Sequence, residues 1–86
     1  MNSIVYLLLS KKDFKTYVGS TDNIERRFQE HTSGKVKSTK NRRPLEIVYQ
    51  ETFSSLLEAR IREKHLKTKK GRRELKIIFE KLNLNK

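Results

Sequence analysis

The feature that most constrains the fold is the run Ile4-Val5-Tyr6-Leu7-Leu8-Leu9, the longest uninterrupted apolar stretch in the chain. Six residues rich in β-formers are enough for a strand and far short of the ~20 needed to span a membrane. A polar stretch from Ser10 to Lys15 follows, and then Thr16-Tyr17-Val18-Gly19. The pattern predicts a β-hairpin with a loop of roughly five residues. If opposed residue numbers sum to an odd value, such as 8 with 17, Tyr6 and Tyr17 emerge on the same face.

Downstream, Asp22 with Glu25 three residues on predicts a capping box and a helix over about 23 to 33, closed by Ser33-Gly34. On it Arg27 and His31 lie one turn apart and border the stripe formed by Ile24 and Phe28. A basic loop leads to Pro44, after which Leu45, Ile47 and Tyr49 alternate with Glu46, Val48 and Gln50, predicting a third strand. Ser55 with Glu58 predicts a second capped helix through about Lys67, with Leu56, Ala59 and Leu66 on its apolar arc and Leu57 and Ile61 alongside. At about 100° per residue, Glu63 falls within that arc, whereas Glu58 points away. A carboxylate on a buried stripe is costly unless it is paired or bound to a cation. After Gly71 a last helix presents Leu75, Ile78, Phe79 and Leu82. The expected order is β-β-α-β-α-α, an α+β (broadly α/β) fold in which a small antiparallel sheet is flanked by helices. With 86 residues, 34% of them hydrophobic, the chain supplies one modest core and therefore one domain over residues 1–86.

Composition narrows the function. The formal net charge is +11, and two segments carry all of it. Lys35, Lys37, Lys40, Arg42 and Arg43 include no acid, and Lys64, Lys67, Lys69, Lys70, Arg72, Arg73 and Lys76 are interrupted only by Glu74. The remainder is neutral, so the charge is a surface for a polyanion, with nucleic acid the first candidate. Cysteine is absent, which excludes a disulfide framework, thiolate metal sites and thiol nucleophiles. Gly19, Gly34 and Gly71 are isolated, so there is no phosphate-cradling loop and no nucleotide cofactor is expected; nor does an H-E-x-x-H zinc motif occur. No basic stretch precedes the first apolar run as in a signal peptide, and the reading is a soluble, cytoplasmic (intracellular) protein without a membrane partner.

Four residues then stand out on chemical grounds: Tyr6, Tyr17, Arg27 and Glu63. Phosphodiester hydrolysis needs a base or an oriented water, a cation on the scissile phosphate, and a donor for developing charge. Tyrosine, glutamate with Mg²⁺, and arginine supply those parts. Each also has a structural reading: strand tyrosines pack, Arg27 reaches Asp22 or Glu30, and Glu63 reaches Lys67 or Arg60.

Taken together, Ile4-Val5-Tyr6, Tyr17-Val18-Gly19-Ser20-Thr21, Glu25-Arg26-Arg27 through His31, and Glu63 resemble the GIY-YIG nuclease family, in particular its small stand-alone members. Relatives include homing-endonuclease catalytic domains and the N-terminal catalytic domain of an excision-repair nuclease subunit, which brings DNA repair into view. The resemblance implies a three-stranded antiparallel sheet flanked by helices and divalent-metal-dependent DNA cleavage with Mg²⁺ or Mn²⁺. It implies that Tyr6 is a general base or an orienter of the attacking water, that Tyr17 is the second-motif tyrosine, that Arg27 stabilises the phosphate, and that Glu63 ligates the metal. His31 matches a frequent active-site position. Ile4 stands where the name-giving glycine would be, and an asparagine found in some members has no counterpart except Asn83 or Asn85 in the tail. The expected activity is a structure-selective or weakly sequence-specific endonuclease. Lys35, Lys37, Lys40, Arg42, Arg43, Lys67, Lys69, Lys70, Arg72 and Arg73 would grip the DNA backbone. The alternative is a non-catalytic nucleic-acid-binding module on the same fold.

Overall fold

A computed structural model describes residues 2–82; Asn83 and Asn85 lie outside the described residues. The elements are β1 (Ser3–Ser10), β2 (Thr16–Thr21), α1 (Ile24–Thr32), a 3₁₀ turn (Lys40–Arg42), β3 (Leu45–Phe53), α2 (Leu56–Leu66) and α3 (Lys69–Lys81). This is the expected order with one short turn added. The antiparallel sheet runs β2-β1-β3, so the apolar run occupies the middle strand. Both of its faces are covered, which is why every residue from Val5 to Leu9 is buried instead of alternating with solvent.

Leu8 pairs with Tyr17 and Tyr6 with Gly19, the register that puts Tyr6 and Tyr17 on one face. The other face of β1 carries Val5 and Leu7, which pack with Val18, Ala59, Leu66 and Leu75 into the main core beneath α2 and α3. In β3 the period-two reading holds only in part. Leu7 pairs with Tyr49 but Leu8 with Ile47, so Val48 is the extra residue of a β-bulge and Tyr49 turns to the face opposite Ile47.

The helix ends differ from expectation in instructive ways. Asn23, not Asp22, caps α1: its side chain accepts from the Arg26 N–H at 3.0 Å, while Asp22 is left to pair with Arg26. At the other end Gly34 has φ +82. The Lys35 N–H returns to the Glu30 carbonyl and the Gly34 N–H to that of His31, a Schellman closure. Ser55 caps α2 as expected, accepting from the Glu58 N–H, and Ala59 and Leu66 are its buried residues. Leu57 and Ile61, read alongside the arc, are 70% and 62% exposed, so burial is confined to the arc itself. Helix α3 starts before Gly71 instead of after it, capped by Thr68. A Cβ at residue 71 would run into the His65 carbonyl and the Leu66 Cα, so glycine is what lets α3 cross the end of α2 at this distance.

A half-buried ion network fixes α2 rotationally. Arg62 donates to Glu51 of β3 through Nε at 2.8 Å and to Glu74 of α3 at 2.7 Å, while the Tyr49 hydroxyl donates to Glu51 at 2.7 Å. The guanidinium beside it holds the Glu51 carboxyl below its ordinary value. Because Arg62 is pinned toward β3 and α3, the next residue, Glu63, is turned toward β2. The hairpin tip is closed by the Phe14 N–H to the Ser10 carbonyl at 2.9 Å, with Phe14 itself at φ 58. That left-handed conformation costs an L-residue about 1–2 kcal/mol relative to glycine.

Candidate active site

The sheet face shared by Tyr6 and Tyr17 is covered by α1 and the segment that follows it. The Tyr6 hydroxyl lies 3.0 Å from His31 Nε2, and His31 Nδ1 lies 2.8 Å from the Thr39 hydroxyl. Tyr6 is 1% exposed, and His31 and Thr39 are fully enclosed. The rings form one cluster, with Tyr17 5.1 Å from His31 and 6.4 Å from Tyr6 between centroids. Gly19 makes this possible: the phenol of Tyr6 lies across its Cα where any Cβ would collide with it. The glycine of the second motif is thus a space requirement of the tyrosine of the first.

Arg27 sits at the half-exposed edge of the cluster. Its guanidinium pairs with Glu30 at 3.0 Å, the second of the two partners the sequence allowed. The hydrogen bond to Glu30, and then the neighbouring Tyr6 and Tyr17 phenols, raise its pKa further, so it is a permanent cation. Burial pushes the Tyr6 phenol up to about 12, against the opposing pull of Arg27. Burial, and then the Arg27 charge, lower His31 to about 4, so at neutral pH it is an uncharged imidazole with a single ring proton. The network places that proton on Nδ1, donated to Thr39, or on Nε2, donated to Tyr6; neutral His31 serves both contacts as one donor and one acceptor.

This has a stability consequence. The unfolded imidazole titrates near its ordinary 6.5 and the folded one near 4. Above pH 6.5 both are neutral and the stabilisation is whole; as pH falls below it, the unfolded chain takes up a proton that the fold refuses. Wild type should lose about 1.4 kcal/mol per pH unit below that point and about 3 kcal/mol by pH 4. Urea unfolding of wild type and His31→Gln between pH 7.5 and 5 checks this, because the variant should lack that slope. Carboxylates held low by partners, such as Glu51 and Glu74, act only at lower pH.

Glu63 approaches β2 from the opposite side of the sheet. The Ser20 hydroxyl donates to one of its oxygens, and Lys67 Nζ lies 2.6 Å from the other. The Lys67 ammonium also lies 5.9 Å from the centre of the Tyr17 ring, which ties Glu63 to the tyrosine cluster around the edge of β2. The stripe position of Glu63 is therefore answered by a half-buried carboxylate, 22% exposed at its side chain, with a hydroxyl and an ammonium as partners. Of the residues singled out from sequence, Tyr6, Tyr17 and His31 meet directly, Arg27 stands beside them paired with Glu30, and Glu63 joins them through Lys67. Ser20 and Thr39 add to the site two hydroxyls that the chemical reading of the sequence does not reach. Ser20 lies within the second motif, whereas nothing in the local sequence distinguishes Thr39 from other loop threonines.

A hard divalent cation takes oxygen ligands, keeps several waters, and is commonly held by one or two carboxylates together with substrate phosphate. Among the described residues there is no group of three or more His, Cys, Asp and Glu side chains suited to a metal. Glu63, with the Ser20 hydroxyl beside it, fits the sparse donor set that such an ion accepts and no more elaborate one.

The basic residues divide. Lys35, Lys37, Lys40, Lys69, Lys70, Arg72 and Arg73 are exposed, and among the described residues none of them forms an ion pair. Arg43 is committed to its own loop, donating to the Lys40 and Thr32 carbonyls, and the Arg42 carbonyl accepts from Ser10. Four cations, Lys69, Lys70, Arg72 and Arg73, crowd the start of α3, where no acidic residue answers the helix dipole. Among the described residues no helix is long and apolar enough to cross a membrane.

Comparison with known proteins agrees with this geometry. The family model described as the GIY-YIG catalytic domain matches residues 2–76. A UPF0213 protein of Staphylococcus haemolyticus is 48% identical over 71 residues, covering 81% of this chain and 87% of that one. The UPF0213 protein YazA of Bacillus subtilis is 34% identical over 83 residues, covering 95% and 84%. The solution NMR structure of the UPF0213 protein BH0048 from Bacillus halodurans superposes with a TM-score of 0.55 at 34% identity, covering 91% of this chain and 85% of that one.

Proposed function

We propose, from the premise that this chain belongs to the GIY-YIG catalytic domain family, a family of nucleases, that it is a divalent-metal-dependent endonuclease acting on DNA. The observation that carries the reading is the convergence of two phenols, a neutral imidazole and a permanent guanidinium on one face of β2, with a half-buried carboxylate on the other.

Burial divides the work of the two tyrosines. At a pKa of about 12 only about one Tyr6 in 10⁵ is phenolate at pH 7, so Tyr6 is a poor resident base. Held by His31, it supports the Tyr17 ring and stands near the guanidinium, whose charge acts on it. Tyr17 is half-buried and is the phenol that an attacking water reaches. Its hydroxyl accepts from the water and aims it. Arg27, fixed by Glu30, presents its remaining N–H groups to the phosphate oxygens that gain charge as the water attacks. Glu63 and Ser20 would hold Mg²⁺ or Mn²⁺, which when bound supplies Lewis-acid stabilisation of the phosphate and the leaving oxygen. The exposed cations of residues 35–40 and 69–73 contact the backbone of the duplex without reading bases.

One observation favours a second reading, a DNA-binding module without turnover: the Lys67 ammonium already neutralises Glu63. Supercoiled plasmid at low salt separates the two. Nicking with Mg²⁺ or Mn²⁺ that stops in EDTA is expected; a protein that binds plasmid and branched DNA but leaves both intact with either ion would be the binding module.

A further inference from the structure

A cleft of about 600 Å³ opens beside the candidate site, between edge strand β2 and helix α3, and shares Tyr17 and Lys67 with it. Its floor is apolar, made by Val18, Leu66, Leu75 and Phe79. Arg72 and Lys76 stand on the same face of α3 as Leu75 and Phe79, one turn apart in each pair, so cations and apolar side chains alternate along the wall. No acidic side chain lines the cleft, and among the described residues neither Arg72 nor Lys76 has an ion-pair partner. At the mouth stands Phe14, 66% exposed and held at φ 58. A bulky residue in that conformation, with its ring in solvent at the rim of a cleft, marks a position where the side chain serves something other than the turn.

We propose that this cleft takes an unpaired nucleobase of the DNA strand next to the cut, with Phe14 stacking on it and Arg72 and Lys76 on the flanking phosphates. The charge pattern selects this occupant. A flat apolar ring carried on a polyanion matches an apolar floor with an all-cationic rim, as in single-strand-binding grooves. A neutral or acidic peptide strand added to β2 would leave the floor and Phe14 without a counterpart. A fully paired base is not available to such a cleft, so the site favours duplexes with a frayed, nicked or branched segment. The inference rests on the proposed nuclease reading and names the part of the substrate that reading leaves open.

The test is fluorescence anisotropy in EDTA, with labelled oligothymidylate against an abasic chain having the same number of phosphates. Wild type should prefer the thymidylate about tenfold, in line with base–aromatic stacking elsewhere. Phe14→Gly should abolish most of that preference while its thermal midpoint stays level or rises, because glycine relieves the left-handed backbone. Lys76→Glu should weaken both probes together. Equal affinity of wild type for the two probes, or a preference unchanged in Phe14→Gly, overturns the proposal. Either result leaves metal-dependent plasmid nicking as it was, so failure of the cleft is distinguishable from failure of the nuclease reading.

Discussion

Glu63→Gln is expected to reduce metal-dependent nicking at least a thousandfold while leaving the fold intact. Glutamine keeps the volume, and its amide oxygen still accepts from Ser20. What it loses is the negative charge, and with it both the attraction for a divalent cation and the ion pair to Lys67. Metal stabilisation of a phosphoryl transition state is worth several kcal/mol, and about 1.4 kcal/mol is a factor of ten in rate. The Lys67 partner is half-exposed, so the pair itself contributes about 1 kcal/mol or less to stability. Single-turnover cleavage measured beside the urea midpoint checks both halves of the expectation. A variant that nicks within tenfold of wild type would reduce Glu63 to the structural reading, a carboxylate on α2 satisfied by Ser20 and Lys67. Lys67→Ala sharpens the test: with the competing ammonium gone, less Mg²⁺ should be needed for half-maximal nicking if the carboxylate takes the ion.

Local signals in the sequence made much of this arrangement legible. The apolar run could become a strand, the Ser55 cap and the stripe placed Glu63 on the inner side of α2, and one register among the alternatives brought the two tyrosines together. Other features depend on partners distant in sequence. The bulge at Val48 arises in the pairing of β3 with β1, so alternation within β3 alone points Tyr49 the wrong way. Leu57 and Ile61 read as lying alongside the apolar arc, and hydrophobicity alone says nothing about whether the covering sheet reaches that far; it does not. Gly71 reads as a helix boundary because glycine usually breaks helices; here the need for close approach to the His65 carbonyl outweighs propensity. Thr39 completes the His31 contact from a basic loop whose composition suggests only solvent and phosphate. The candidate site is thus most legible where one element supplies both the residue and its spacing, and least where a side chain is defined by what packs on it.

Arg27→Ala should lower the cleavage rate about a thousandfold, the range seen when a guanidinium on a transferring phosphoryl group is removed. The local cost to the fold is small, since a half-exposed i,i+3 pair with Glu30 is worth about 0.5 kcal/mol. The ionisation of its neighbours gives a second, independent readout. Arg27 holds His31 down and opposes the rise of Tyr6. In the alanine variant both should titrate higher than in wild type, His31 moving up from about 4 because one of the two influences that lower it is gone while Glu30 still raises it. NMR titration of the imidazole reports this without any turnover. Arg27→Lys separates charge from geometry, because an ammonium restores the positive charge but not the planar fork that can hold Glu30 and a phosphate together. The lysine variant should return His31 toward its wild-type value and recover little of the rate. If it recovers the rate in full, Arg27 acts as a point charge and the planar geometry of its guanidinium has no part in positioning the phosphate.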